Sequence, residues 1–251
     1  MKQNLQRLVI QNFDDASQKY NSVAILQKIF ASKLAQQCSK KPLLPGPWFD
    51  LGSGTGLLAN ELERIFPTQS VIRVDGSENM LKQHPENKTK KIFNLNSGLP
   101  KLTEPPTLIA SSFVLHWLNK PEERLKEWFD ALAPGGWLAI ACPVKGSFPE
   151  WHNAAKKANV VCTALPLPSP DLLLAKIERQ HIRFDRLESF TQEAPRVTSL
   201  LKPFVRFGAQ ASMYESLTIS QWRRLQKSWL ISNGKSFPRL TWSIQILLAQ
   251  K

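Results

Sequence analysis

Cysteine and histidine are scarce. The chain carries three cysteines (Cys38, Cys142 and Cys162) and four histidines in 251 residues. The cysteines stand far apart and no His/Cys run has metal-ligand spacing, which argues against a zinc site and a disulfide framework. They read as small buried hydrophobes in a reducing compartment. Long apolar runs are missing too: none reaches the roughly 18 residues that span a bilayer. Met1-Lys2-Gln3-Asn4-Leu5-Gln6-Arg7 has no apolar core behind it, so no secretory leader is expected and the expected location is cytoplasmic. Acid is also in short supply, with 20 Asp and Glu against 33 Lys and Arg, a formal charge of +13. Such a surface attracts polyanions: nucleic acid, anionic lipid or an acidic protein. A merely well-solvated surface gives the same count. This length fits one elaborated domain, or at most two.

What is present concentrates at Trp48-Phe49-Asp50-Leu51-Gly52-Ser53-Gly54-Thr55-Gly56. An apolar strand runs into Asp50, and glycines follow at alternate positions before a helix-compatible stretch. Glycine lets the backbone turn sharply and approach a ligand without a Cβ in the way. A strand, glycine loop and helix also aim N–H groups and a helix N-terminus at that ligand. The spacing is neither the dinucleotide G-x-G-x-x-G nor a Walker loop, since no G-K-[ST] follows. Val71-Ile72-Arg73-Val74-Asp75 reads as a second strand ending in an acid, 19 residues past Gly56. An acid there accepts hydrogen bonds from ribose hydroxyls, or else caps the helix that begins near Ser77. Gly76 leads into that helix. Met80, within it, is either a ligand wall or plain core.

Four regions follow from the hydrophobic periodicity. Residues 1–47 form a helical lead-in, with Ala24, Ile25, Ile29, Phe30, Leu34 and Ala35 at helical spacing. Residues 48–144 alternate strand-like and helix-like pieces, the mark of an α/β parallel sheet with helices on both faces. Residues 145–212 read as an inserted helical cap rich in Pro, Arg and Lys. Residues 213–251 complete the sheet with the strand-like Leu240–Ala249. In such sheets ligands bind beyond the carboxyl ends of the strands. That edge gathers Gly52–Gly56, Asp75-Gly76, the Phe93–Gly98 loop and Ser111–Trp117.

The glycine loop with Asp75 resembles motif I and the ribose-binding acid of class I S-adenosylmethionine-dependent methyltransferases, which have a Rossmann-like sheet. The resemblance narrows along the chain. Phe13-Asp14-Asp15-Ala16-Ser17-Gln18-Lys19-Tyr20-Asn21, then Ala24 and Gln27, resembles the opening of the biotin-pathway malonyl-acyl-carrier-protein O-methyltransferases. Ser111-Ser112-Phe113-Val114-Leu115-His116-Trp117 is similar to their S-N-x-x-x-Q-W element. Leu132-Ala133-Pro134-Gly135-Gly136 is the turn they share. Lys145-Gly146-Ser147-Phe148-Pro149-Glu150-Trp151-His152 resembles their G-S-[LF]-x-E-L-H segment. Leu200–Ala209 resembles their L-K-x-x-G-A element only with extra residues. Two further departures stand out. Asn94 or Asn96 occupies the loop where an Asp is usual, and Pro106-Thr107-Leu108-Ile109 replaces F-D-L-I.

The resemblance implies S-adenosyl-L-methionine as cofactor, held by Asp50, Gly52, Ser53, Gly54, Thr55, Gly56, Asp75, Gly76, Met80, Asn94, Asn96, Ser111 and Ser112. It implies a transferase that esterifies the free carboxyl of a malonyl thioester on acyl carrier protein, early in biotin synthesis. No catalytic group is singled out, because positioning does the work of in-line methyl transfer. A carboxylate acceptor is already ionised near neutral pH and needs no base. Substrate contacts are expected from Tyr20, His116, Trp117, Lys145 and Arg206. Arg206 heads a set of carboxylate-binding cations that includes Lys145, Lys202, Arg196 and Arg183, because arginine binds carboxylates bidentately. Arg223, Arg224 and Lys227 form a basic stretch for an acidic carrier. The alternatives are another small carboxylic acid, an RNA acceptor, or a non-catalytic binding protein on the same fold. No metal and no membrane are expected, and oligomeric state is left open.

Overall fold

The computed structural model describes residues 2–206, 217–231 and 237–251. Helices α1 (Lys2–Val23) and α2 (Ile25–Cys38) lead into strand β1 (Trp48–Leu51). Then come α3 (Leu57–Ile65), β2 (Val71–Asp75), α4 (Glu78–Leu81) and β3 (Lys90–Ile92). Strands β4 (Leu108–Ser112) and β5 (Trp137–Pro143) flank α5 (Pro121–Asp130). The remainder is α6 (Pro149–Ala158), α7 (Pro170–Leu174), β6 (Ile182–Glu193), α8 (Val197–Arg206), α9 (Ile219–Ile231) and β7 (Arg239–Gln250).

The strands form one sheet in the order β3-β2-β1-β4-β5-β7-β6. β1 to β5 run parallel, whereas β7 is antiparallel to both β5 and β6. Strand order reverses between β1 and β4, and a crevice opens beyond their carboxyl ends. β5 shows how the layers are built. Trp137, Ala139 and Ala141 pack with α2 and α3 on one face, while Leu138, Ile140 and Cys142 pack with α5 and α7 on the other. Strands β1, β4 and β5 are covered on both sides and read as largely apolar runs, whereas the edge strand β3 is Lys90-Lys91-Ile92. Arg73 is a charged residue set inside β2. It is fully buried, and Glu63 of α3 accepts from both of its terminal nitrogens at 2.9 and 2.8 Å.

A third apolar cluster joins α6 (Trp151), α8 (Leu200), α9 (Leu225, Trp229) and β7 (Leu240). It therefore crosses the boundary drawn at residue 212. The stretch 145–212, expected to be helical, also contains β6, the outer strand of the sheet. Phe184 and Phe190 pack on the α2/α3 side and Ile182, across a register shift, on the other, set among Arg183, Asp185, Arg186 and Glu188. An edge strand carries charges to discourage further pairing, and those charges hide its alternation.

Candidate active site

The glycine loop between β1 and α3 is fixed from below. The N–H groups of Gly52 and Ser53 both donate to Val74 O of β2, at 2.7 and 2.9 Å. Gly52 has φ +72°, and a Cβ there would lie 2.2 Å from Val114. The loop therefore cannot carry a side chain at that point. Gly54 has φ +50° and nothing within 4 Å of its Cβ position, so its bare face borders the cavity. Its N–H donates to Asp75 Oδ2 at 2.8 Å, and Ser77 N–H donates to Oδ1 at 2.8 Å. Burial raises the Asp75 carboxyl above the usual carboxylate range, against the pull of the Ser77, Gly54 and Gly76 N–H groups; the Asp14 charge adds to the rise.

A cavity runs from this loop across the carboxyl edge of the sheet. Of the expected donor residues, Gly52, Gly54, Asp75, Gly76, Met80, Asn94, Asn96 and Ser112 line it. Met80 is 1% exposed, so it is a core residue and a wall at once. Asn94 Oδ1 accepts from Asn96 N–H at 3.0 Å, and Asn96 Oδ1 accepts from Asn119 N–H at 2.9 Å. Each oxygen keeps a second lone pair. The two serines of β4 part company. Ser111 Oγ donates to Leu51 O at 2.7 Å inside the sheet. Ser112 Oγ is buried on the cavity wall with no hydrogen-bond partner among the described residues.

Asp50, Ser53, Thr55 and Gly56 lie off the cavity wall and shape the loop. Asp50 is buried and accepts from Ala59 N–H at 3.0 Å, stapling β1 to the first turn of α3. Burial pushes its carboxyl up to about 7, against the Ala59 N–H and the Arg73 charge. Thr55 Oγ1 bonds Asn21 Oδ1 at 2.6 Å, tying the loop to α1.

Of the expected substrate residues, Tyr20 and Trp117 line the cavity. Phe13 sits between them, with its ring 6.3 Å from Tyr20 and 5.7 Å from Trp117, edge to face. Burial raises the Tyr20 hydroxyl pKa, and the Asp75 charge raises it further. His116 is off the wall, and burial lowers its pKa to about 3, so its ring is neutral. Lys145 is exposed and is not among the residues lining the cavity. Arg183, Arg196 and Lys202 are likewise exposed. Arg206 ends α8, and its side chain lies outside the described residues. Among the described residues on the wall there is no lysine or arginine.

Sequence reasoning left several contributors unassigned. Val9, Ile10 and Phe13 of α1 wall the cavity, as do Phe113 and Val114. Asp14 accepts from Ser77 Oγ, Asn79 N–H and Asn79 Nδ2, at 2.6, 2.9 and 2.6 Å, and so pins α1 over the start of α4. The signal for Asp14 lay inside the opening motif, but its partner is more than sixty residues away.

Residues 24–196 match a family model described as a methyltransferase domain. The chain belongs to that methyltransferase family. Among curated relatives, the biotin biosynthesis bifunctional protein BioCD of Bordetella avium is 33% identical over 155 residues, covering 59% of this chain and 33% of that protein. The trans-aconitate 2-methyltransferase of Sinorhizobium fredii is 31% identical over 160 residues, covering 57% and 61%. The malonyl-[acyl-carrier protein] O-methyltransferase of Neorickettsia risticii is 29% identical over 168 residues, covering 66% and 63%. The matched stretch thus spans a third to under two thirds of these relatives' length. Two solved structures share the fold. The YcgJ protein of Bacillus subtilis superposes with a TM-score of 0.58 at 11% identity, covering 87% of this chain and 98% of that one. A SAM-dependent methyltransferase from Archaeoglobus fulgidus gives 0.52 at 18%, covering 92% and 97%.

The cofactor of this class I methyltransferase fold is S-adenosylmethionine. The cavity of this methyltransferase-family chain fits it on two observations. Gly54 offers a wall that a Cβ would fill, and the buried Ser112 hydroxyl has no partner among the described residues.

Proposed function

We propose that this chain is an S-adenosylmethionine-dependent O-methyltransferase acting on the free carboxyl of a malonyl thioester on acyl carrier protein, early in biotin synthesis. The observation that carries the transferase reading is the juxtaposition of the bare face of Gly54 with the Asp75 carboxylate on one cavity wall. In this reading Asp75 accepts from the ribose hydroxyls, and the glycine loop and Ser112 border the methionine end. Met80 flanks the adenine, with Asn94 or Asn96 accepting from its amino group. The cofactor supplies a methyl group already activated on a sulfonium. The protein's task is then to align the acceptor and exclude water.

Two features support a carboxylate acceptor. The titratable side chains on the described wall are Asp75 and Tyr20. Tyr20 is held protonated, and the Asp75 oxygens are engaged by the Gly54 and Ser77 N–H groups and, in this reading, by the ribose, so neither is assigned as a base. A carboxylate is ionised there without one. Also, relatives from Laribacter hongkongensis and Neorickettsia risticii are named malonyl-[acyl-carrier protein] O-methyltransferases. A second reading rests on the trans-aconitate methyltransferases, which match at similar identity: a small polycarboxylate in place of the carrier-bound thioester. Charge favours the carrier, because an acidic protein is steered toward a chain of net charge +13.

Incubation with methyl-labelled cofactor separates these readings. The arms are malonyl-acyl carrier protein, malonyl-coenzyme A, trans-aconitate and bulk RNA. The expected result is base-labile label on the carrier protein. Label on trans-aconitate alone selects the second reading, and label on RNA alone rejects a carboxyl acceptor.

A further inference from the structure

The geometry points to His84 as a positioning residue that locks the glycine loop in its cofactor-binding shape. His84 follows α4 and belongs to none of the motifs in the sequence. It is 4% exposed, and its Nε2 lies 2.7 Å from Gly54 O. A carbonyl oxygen only accepts, so Nε2 carries the proton and donates. Nδ1 is then bare. It is buried without a partner among the described residues, which suits a neutral ring. The same ring also closes the space beside the far end of the loop. A Cβ on Gly56 would sit 2.6 Å from His84 Cε1.

Gly54 is therefore held on both sides. Asp75 takes its N–H at 2.8 Å and His84 binds its C=O at 2.7 Å. A glycine at φ +50° with open space before it has little else to fix it. In a trans peptide the C=O and the next N–H point in opposite directions. Anchoring Gly54 O on His84 therefore also sets the direction of Thr55 N–H. Met80, one turn before His84, lines the same cavity. One short segment thus supplies a wall at Met80 and a clamp at His84. The inference rests on the cofactor reading of this cavity and is independent of the acceptor.

The test compares H84L, which keeps bulk, with H84Q, whose amide reaches the Nε2 position. The readouts are S-adenosylhomocysteine affinity by calorimetry and hydrogen exchange of the 52–56 amides without ligand. H84L should weaken binding by about tenfold, as expected for one buried hydrogen bond, and speed exchange at Thr55. H84Q should stay within about threefold of the parent, with Thr55 exchange close to the parent's. Equal affinity in H84L and the parent overturns the clamp, as does equal weakening in H84L and H84Q. Should H84L not fold, H84N replaces it, because its amide is too short to reach Gly54. Failure of the parent itself to bind S-adenosylhomocysteine would instead strike the cofactor reading.

Discussion

The glycine loop at 52–56 and the Gly146–Glu150 segment look alike in sequence and are used differently. Both are short, glycine-containing and placed at a strand's carboxyl end. The first is held by the adjoining strand and helix, through Val74, Asp75 and Ala59, and leaves a bare glycine facing a cavity. The second is held by the far end of the chain. Ser147 Oγ donates to Ser243 O at 3.1 Å and accepts from Ser243 N–H at 2.9 Å. Phe148 N–H donates to Thr241 O at 2.6 Å, and Glu150 accepts from Thr241 N–H at 2.9 Å. One segment is wired to present an open surface, while the other is wired shut against β7. One glycine-containing segment thus borders a cavity, and the other forms a clip between β5 and β7.

Removing Asp75 breaks the contrast most strongly. Asp75→Ala should weaken S-adenosylhomocysteine binding by about a hundredfold, the loss expected for two hydrogen bonds to a charged acceptor. It should also release the N–H groups of Gly54 and Ser77. Calorimetry checks this. An affinity within threefold of the parent would place the ribose elsewhere.

The clip should respond in the opposite register. Glu150→Ala leaves Thr241 N–H without its carboxylate acceptor and Thr241 Oγ1 with Thr191 alone, which costs about 2 kcal/mol of stability. Cofactor affinity should stay within about twofold. Urea denaturation beside calorimetry separates the two effects. A large loss of affinity with unchanged stability would move the Gly146–Glu150 segment into the site.

The same contrast explains what could be read from residues alone. The parallel half was legible because its signals are local: an apolar strand, a glycine loop, then an acid at the next strand's end. Tyr20 and Trp117 were reachable through motif resemblance. Ser111 and Ser112 are indistinguishable in sequence, and only strand register turns one into the sheet and the other toward the cavity. His116 and Lys145 lie within motif-like stretches but do not line the cavity. His84, Asp14 and β6 were not assigned, because each draws its meaning from partners distant in sequence. The Arg206 expectation falls on a side chain outside the described residues.

The smallest predicted effect tests the floor of the loop. Asp50 sits under the glycines, accepts Ala59 N–H, and has its carboxyl raised by burial to about 7. In the unfolded chain the same group titrates near about 4. Between those values the folded state binds the extra proton, so stability falls as pH rises through the window, and the full cost is present above the folded value. Lowering the pH from 8 to 6 should therefore add about 1 kcal/mol from this group. Asp50→Asn keeps an acceptor for Ala59 N–H and removes the titration, so its stability should lack that increment. His116 works with the opposite sign. Its ring is pushed down to about 3 by burial, so its contribution is lost only as pH falls below about 6.5. Between pH 8 and 6 the His116 change is about 0.8 kcal/mol of opposite sign, but it is common to the parent and Asp50→Asn, so the difference between the two profiles isolates Asp50. Parallel pH profiles for parent and Asp50→Asn would show that the loop rests on a carboxylate no harder to ionise than one in water.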